Sequence, residues 1–216
     1  MNRTSKRLNE FELDNEWQSG VFNRLLREPL RQSSYDGGVI FVEHDSPIAK
    51  LIQHRAHADI LVQIGSKNTI SIECKLVRFP RRGDGQPGLY HWRDFFLETW
   101  SCSVPGYKTK GWMSASIADV LLWGQVSFRE DSVDCWPLPF ERLKAWARQH
   151  YQQLRQRKVK NVIDGRALWT QGILASINRV CRDLRIEGFR VESAGLISDL
   201  WGKPLLRFMR ESGHRF

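Results

Sequence analysis

The stretch His57-Ala-Asp-Ile-Leu-Val-Gln-Ile64, Gly65-Ser-Lys-Asn68, Thr69-Ile-Ser-Ile-Glu-Cys-Lys-Leu76 decides how this chain is read. In its first part Ala58, Ile60, Val62 and Ile64 alternate with Asp59, Leu61 and Gln63. In its last, Ile70, Ile72, Cys74 and Leu76 alternate with Ser71, Glu73 and Lys75. A period of two over short apolar runs marks strands, and the short polar connection makes an antiparallel hairpin. Side chains change face at every residue of a strand, so Glu73 and Lys75 share one face while Cys74 points to the other, into apolar packing. A loop of Gly65 to Lys67 sets Asp59 directly opposite Glu73; a four-residue loop staggers the pair by one. In either register two carboxylates and an ammonium gather on one patch. Close carboxylates repel unless a cation lies between them, and hard oxygen ligands suit Mg²⁺ or Mn²⁺. A lysine beside such a metal can orient or help deprotonate a water and neutralise charge building on a phosphate. A Glu-x-Lys pair alone is a common solvated charge pair. The upstream Asp59, the spacing and the apolar opposite faces set this one apart.

The arrangement resembles the PD-(D/E)XK nuclease superfamily, in which an Asp at the start of one strand and a Glu-x-Lys on the next supply metal ligands and a catalytic lysine. The similarity by motif spans residues 39 to 78. A weaker similarity continues through Phe95-Phe-Leu-Glu-Thr99 and Gly111-Trp112 to Ala118-Asp-Val-Leu-Leu-Trp123, a pattern associated with small phage and prokaryotic endonucleases of that group. Ala58 stands where the family name has Pro, at a position that carries no chemistry. The resemblance implies an α/β fold with a restriction-endonuclease-like core, a central mixed β-sheet flanked by helices. It implies that Asp59, Glu73 and the backbone carbonyl of Cys74 hold Mg²⁺ or Mn²⁺, and that Lys75 orients the attacking water. Many members add an acid from an N-terminal helix, and Glu16 is the nearest match here, with Glu10 and Glu12 as competitors.

With 216 residues and a formal net charge of +9, the chain can build one well-cored domain and favours a polyanionic partner. No bilayer-length apolar run occurs, and Met-Asn-Arg-Thr-Ser-Lys-Arg at the start lacks the apolar core of a signal peptide, so a cytoplasmic protein without membrane contact is expected. Cys74, Cys102, Cys135 and Cys181 are widely spaced, which argues for reduced thiols rather than a zinc ribbon or a disulfide framework. The absence of a Gly-x-x-x-x-Gly-Lys-Ser/Thr loop removes support for an ATP-driven motor.

Working outward, Phe11, Leu13, Trp17, Val21, Leu25 and Leu26 are spaced as one face of an N-terminal helix, with Glu16 beside the stripe. Asp36-Gly-Gly38 signals a turn before a first strand, Val39 to Val42. The turn-rich segment from Phe79 to Asp94 reads as a loop. Arg93 to Trp100 and Ala118 to Trp123 read as further strands, with Glu98 and Asp119 as additional acids in this half. Residues 139 to 157 space Phe140, Leu143, Trp146, Ala147 and Leu154 as an amphipathic helix. Beyond Asn161, Ile173, Ile177 and Val180 suggest a short helix and Leu196 to Leu206 another. The expected division is thus a nuclease-like core over 1–160 and a helical C-terminal extension over 161–216 packed on it.

Two basic clusters are candidates for phosphate: Arg78, Arg81 and Arg82 after the second strand, and Arg155, Arg157, Lys158 and Lys160. Of the nine tryptophans, Trp17, Trp123 and Trp146 lie on apolar stripes. Trp92 and Trp112, near Arg93 and Lys110, are the ones placed to stack on bases. His57 shares a strand face with Asp59. The expected partner is DNA, branched or single-stranded forms included, and two symmetric sites in a homodimer would suit double-strand cutting. A non-cleaving nucleic-acid-binding protein on the same fold and a ribonuclease are the competing expectations.

Overall fold

The hairpin forms with its three-residue connection, and its second strand lies in the interior of the larger sheet. The computed structural model describes residues 17, 20–27, 39–41, 59–64, 68–78, 92–104, 107–163 and 166–192, and the description below concerns these. β1 (Val39–Phe41) pairs antiparallel with β2 (Ile60–Ile64), and β2 with β3 (Asn68–Arg78), Ile64 lying opposite Asn68. β3 then pairs in parallel with β6 (Val120–Val126), which continues antiparallel to β7 (Ser132–Pro139) and on to β10 (Phe189–Glu192). A parallel neighbour needs a long crossover. This one runs through β4 (Asp94–Val104), β5 (Tyr107–Lys110) and a short helix, α1 (Trp112–Ala115). β4 and β5 belong to a second, antiparallel sheet of order β5-β4-β9-β8, completed by β8 (Arg155–Ile163) and β9 (Arg166–Ser176).

β6 is buried along its whole length, as expected of a strand with a parallel neighbour and cover on both faces. Val120, Leu122 and Val126 join Ile60, Ile72 and Leu76 in a first core, which Val21 and Leu25 of the N-terminal helical segment cap. Leu121 and Trp123 point the other way, into a second core with Phe95 and Leu97 of β4 and Ile173 of β9. Two helices close that core: α2 (Phe140–His150) contributes Phe140 and Leu143, and α3 (Ile177–Leu184) contributes Val180. Each such side chain, fully buried, contributes about 1.5–3 kcal/mol. The fold is therefore a mixed α and β architecture with strands dominating and few helices, and among the described residues no helix is long and apolar enough to cross a membrane.

Several expectations are corrected. The helix over 139 to 157 ends at His150, and after the 3₁₀ turn Tyr151–Gln153 the chain becomes β8, so Arg155, Arg157, Lys158 and Lys160 lie on a strand. β8 is an edge strand whose Arg155, Arg157, Lys158 and Lys160 are all exposed, so no apolar alternation marks it; its pairing with β9 decides its conformation. The 161–192 segment is not a helical extension. β9 sits inside the second sheet and β10 closes the first, leaving α3 as its one helix among the described residues. Leu196 to Leu206 lies outside the described residues. The N-terminal segment contributes a π-helical piece, Phe22–Arg27, rather than a regular α-helix at that point.

Candidate functional site

β2 begins at Ile60, opposite Ile72, so the Cys74 amide of β3 lies beyond the ladder. A backbone N–H without a partner is costly. Asp59 supplies one: its own N–H donates to the Ile72 carbonyl (2.8 Å), and its Oδ2 accepts the Cys74 N–H (2.7 Å). Continuing the register by one residue sets Asp59 opposite Glu73, the arrangement expected from the three-residue loop.

The faces of β3 divide as the alternation requires. Cys74 packs against the first core and Val77 against the second, on the side shared by Glu73 and Lys75. Lys75 Nζ lies 2.6 Å from Glu73 Oε1; the Glu73 side chain is 4% exposed and that of Lys75 33%. Burial, reinforced by the charge of Asp59 and partly offset by Lys75, pushes the Glu73 carboxyl up to about 7. Burial works to lower the Lys75 ammonium, but Glu73 and Asp59 outweigh it and the net direction is upward, so Lys75 stays charged at neutral pH. The Cys74 thiol is driven well above its usual range by burial.

The second sheet adds a third acid. Glu98 lies on β4 where the ladder with β9 is irregular, between Glu98 and Trp100. Its carboxylate accepts the Trp112 N–H, burial raises its carboxyl while Lys75 draws it down, and its charge is felt at Glu73 and Lys75 in turn. Gly111, just before Trp112, passes so close that a Cβ there would meet the Glu98 carbonyl oxygen at 2.6 Å and its Cγ at 2.7 Å. Gly111→Ala is therefore expected to destabilise the protein by about 1–3 kcal/mol. A urea midpoint equal to wild type would mean that the junction relaxes without cost.

The remaining candidates disperse. Asp119 binds the Ser71 N–H and hydroxyl through Oδ2, both at 2.8 Å, and so ties the start of β6 to β3 instead of joining Glu73. Arg78 shares the parity of Cys74, not Glu73; its guanidinium lies 4.4 Å from the Trp17 ring centroid, on the far face of β3 from the acids. Trp92 donates its indole N–H to the Arg78 carbonyl (2.7 Å), so it ties the two ends of the 79–91 connection together. Trp112 stacks on Phe140 with centroids 6.0 Å apart and packs on the second core, which corrects its reading as a base-stacking residue. Arg93 and Lys110 are exposed at the start of β4 and the end of β5. Glu10, Glu12, Glu16, His57, Arg81 and Arg82 lie outside the described residues. Glu98 carried only a weak signal in the sequence, because nothing in its spacing ties it to a strand of the other sheet.

Among the described residues no three His, Cys, Asp or Glu side chains converge as a complete metal-binding group. Asp59 and Glu73 remain as a pair with one oxygen each committed, to the Cys74 amide and to Lys75. A desolvated carboxyl raised to about 7 is one that a cation would stabilise in its charged form. Mg²⁺ is commonly held by one or two carboxylates while it keeps several waters, so this pair fits such an ion.

Comparison with protein-family models, with curated proteins and with solved structures finds no match to this chain.

Proposed function

We propose that the chain is a Mg²⁺- or Mn²⁺-dependent DNA endonuclease that hydrolyses phosphodiester bonds. The observation that carries this reading is the meeting of Asp59, Glu73 and Lys75 on one face at the end of a hairpin, two carboxylates with a charged lysine 2.6 Å from one of them. The similarity of this constellation to the PD-(D/E)XK pattern and the net charge of +9 support it. Asp59 and Glu73 would hold the cation, with the Cys74 carbonyl as a further oxygen donor. The cation, when bound, supplies Lewis-acid stabilisation of charge on the phosphate. Lys75, kept protonated by its acidic neighbours, donates hydrogen bonds that orient a water or a phosphate oxygen, and in this state it is not a general base. Glu98, held by the Trp112 amide, adds negative charge beside Lys75 and helps keep it an ammonium.

Labelled linear duplex, branched and single-stranded DNA and RNA, incubated with and without Mg²⁺, test this directly. Cleavage of DNA is expected with Mg²⁺ or Mn²⁺ and none in EDTA. Ca²⁺ is expected to permit binding with poor turnover, since it accepts looser geometry than in-line attack requires. Full cleavage in excess chelator removes the two-carboxylate reading. Cleavage confined to RNA makes the chain a ribonuclease, and binding without cleavage in any metal makes it a nucleic-acid-binding protein.

A further inference from the structure

Two tryptophans of the second sheet belong to neither core of the described residues. Trp100 on β4 is 41% exposed and Trp169 on β9 is 50% exposed, whereas Trp123 and Trp146 are buried. Residues directly paired in an antiparallel ladder share a face, as do residues two apart on one strand. The register therefore lays Lys110 of β5, Trp100, Gln171 of β9 and Lys158 of β8 across the sheet as one row, with Trp169 and Lys160 on the same face in the next. Trp100 and Trp169 are diagonal neighbours, with Cα atoms about 7–8 Å apart in such a ladder. Further along the same strands this face carries Leu97 and Ile173, which are buried in the second core. The sheet thus runs past the layer it covers and presents its far end outward.

Lysines on an edge strand discourage edge-to-edge pairing, which accounts for Lys158 and Lys160. That account does not extend to the two indoles on interior strands, which stay 41% and 50% exposed although a tryptophan side chain is normally a major source of buried area. In these two rows Lys110, Lys158 and Lys160 are exposed and none of the six residues is acidic. Aromatic rings interleaved with cations match a chain of unpaired bases joined by phosphates. A duplex offers its bases only at their edges and would leave the rings without stacking partners.

We propose that this face binds single-stranded DNA, with Trp100 and Trp169 stacking on unpaired bases and Lys110, Lys158 and Lys160 meeting the phosphates. The choice of DNA over RNA rests on the nuclease reading above; the stacking chemistry does not.

The test uses the full chain in EDTA, so that binding is read without cleavage, by fluorescence anisotropy of labelled oligo-dT, oligo-rU and a duplex of equal length. Base stacking is lost at about 1–3 kcal/mol per ring, so Trp169→Ala should weaken oligo-dT binding roughly 5- to 150-fold while Trp169→Phe keeps most of the affinity. Trp169→Ala should leave duplex binding near wild type, and Lys158→Gln with Lys160→Gln should lower the salt slope for oligo-dT by about 1.4. Circular dichroism and urea midpoints identify any variant that has merely unfolded, and the lysine variant, altered only at exposed positions, then carries the test. Oligo-dT affinity and salt slope unchanged in both variants overturn the proposal, as does an equal loss on duplex and single strand. Preference for oligo-rU overturns the DNA assignment, and a concentration-dependent dimer blocked by the Trp169 change makes the face a contact between copies instead. A wild-type chain that cuts nothing in Mg²⁺, with variants that show these binding losses, sinks the nuclease reading and leaves the platform standing; wild-type cleavage with unchanged binding in the variants does the reverse.

Discussion

Replacing Asp59 by Asn, Glu73 by Gln or Lys75 by Ala is expected to lower DNA cleavage on the order of 10³-fold each, equivalent to about 4 kcal/mol of transition-state stabilisation. DNA affinity in Ca²⁺ should change far less, because on the proposed reading each substitution removes a contact to the metal or the transition state and leaves the other basic residues in place. The asparagine keeps an acceptor oxygen for the Cys74 amide, so its fold should survive, whereas Asp59→Ala would orphan that N–H at a cost of about 1–3 kcal/mol. Cys74→Ser is the control: its side chain packs into the first core on the opposite face of β3, and a folded variant should keep substantial cleavage. Single-turnover rates at saturating Mg²⁺ decide between these outcomes. Equal losses at Cys74 and Lys75 in folded protein would contradict the assignment of chemistry to one strand face.

In EDTA, the stability of wild type relative to Glu73→Gln should fall by about 3 kcal/mol between pH 4.5 and pH 8.5. The Glu73 carboxyl titrates near 7 in the folded protein against an ordinary 4.5, chiefly because it is buried. Below pH 4.5 it is protonated in both folded and unfolded chains. As pH rises through about 7 the folded chain must ionise it in a desolvated place, so the stability present at low pH is lost. Gln carries no such charge and loses nothing over this window. Urea unfolding of both proteins at the two pH values measures the difference. Saturating Mg²⁺ should shrink it, since a bound cation favours the ionised form. A difference that does not move with pH would mean that Lys75 alone neutralises Glu73 completely.

The hairpin was legible because both strands present an apolar set to one face and a polar set to the other; of the two registers the sequence allowed, the structure took the one that sets Ile64 opposite Asn68. The same alternation separated Cys74 from Glu73 and Lys75, and it also turns Arg78 away from the acids, a consequence of parity that a reading by proximity in sequence overlooks. β8 was illegible for a converse reason. Its Arg155, Arg157, Lys158 and Lys160 are all exposed, so nothing distinguishes it from the basic flank of a helix until β9 pairs with it. Trp112 was misread because a residue beside a loop can still have its ring stacked in a core, here on Phe140.

What the sequence determined by itself is the local grammar of the hairpin: which residues share a face, and that two carboxylates and a lysine meet on one of them. Those statements follow from a period of two along a single pair of strands. Tertiary structure alone decided that Glu73 is buried, which raises its carboxyl to about 7, and that Glu98 of β4 comes within electrostatic reach of Glu73 and Lys75. It also decided that Trp100 and Trp169, 69 positions apart, share an exposed face with Lys158 and Lys160. Desolvation and cross-sheet approach depend on long-range packing of separate segments, and no local pattern of residues encodes which segments will meet.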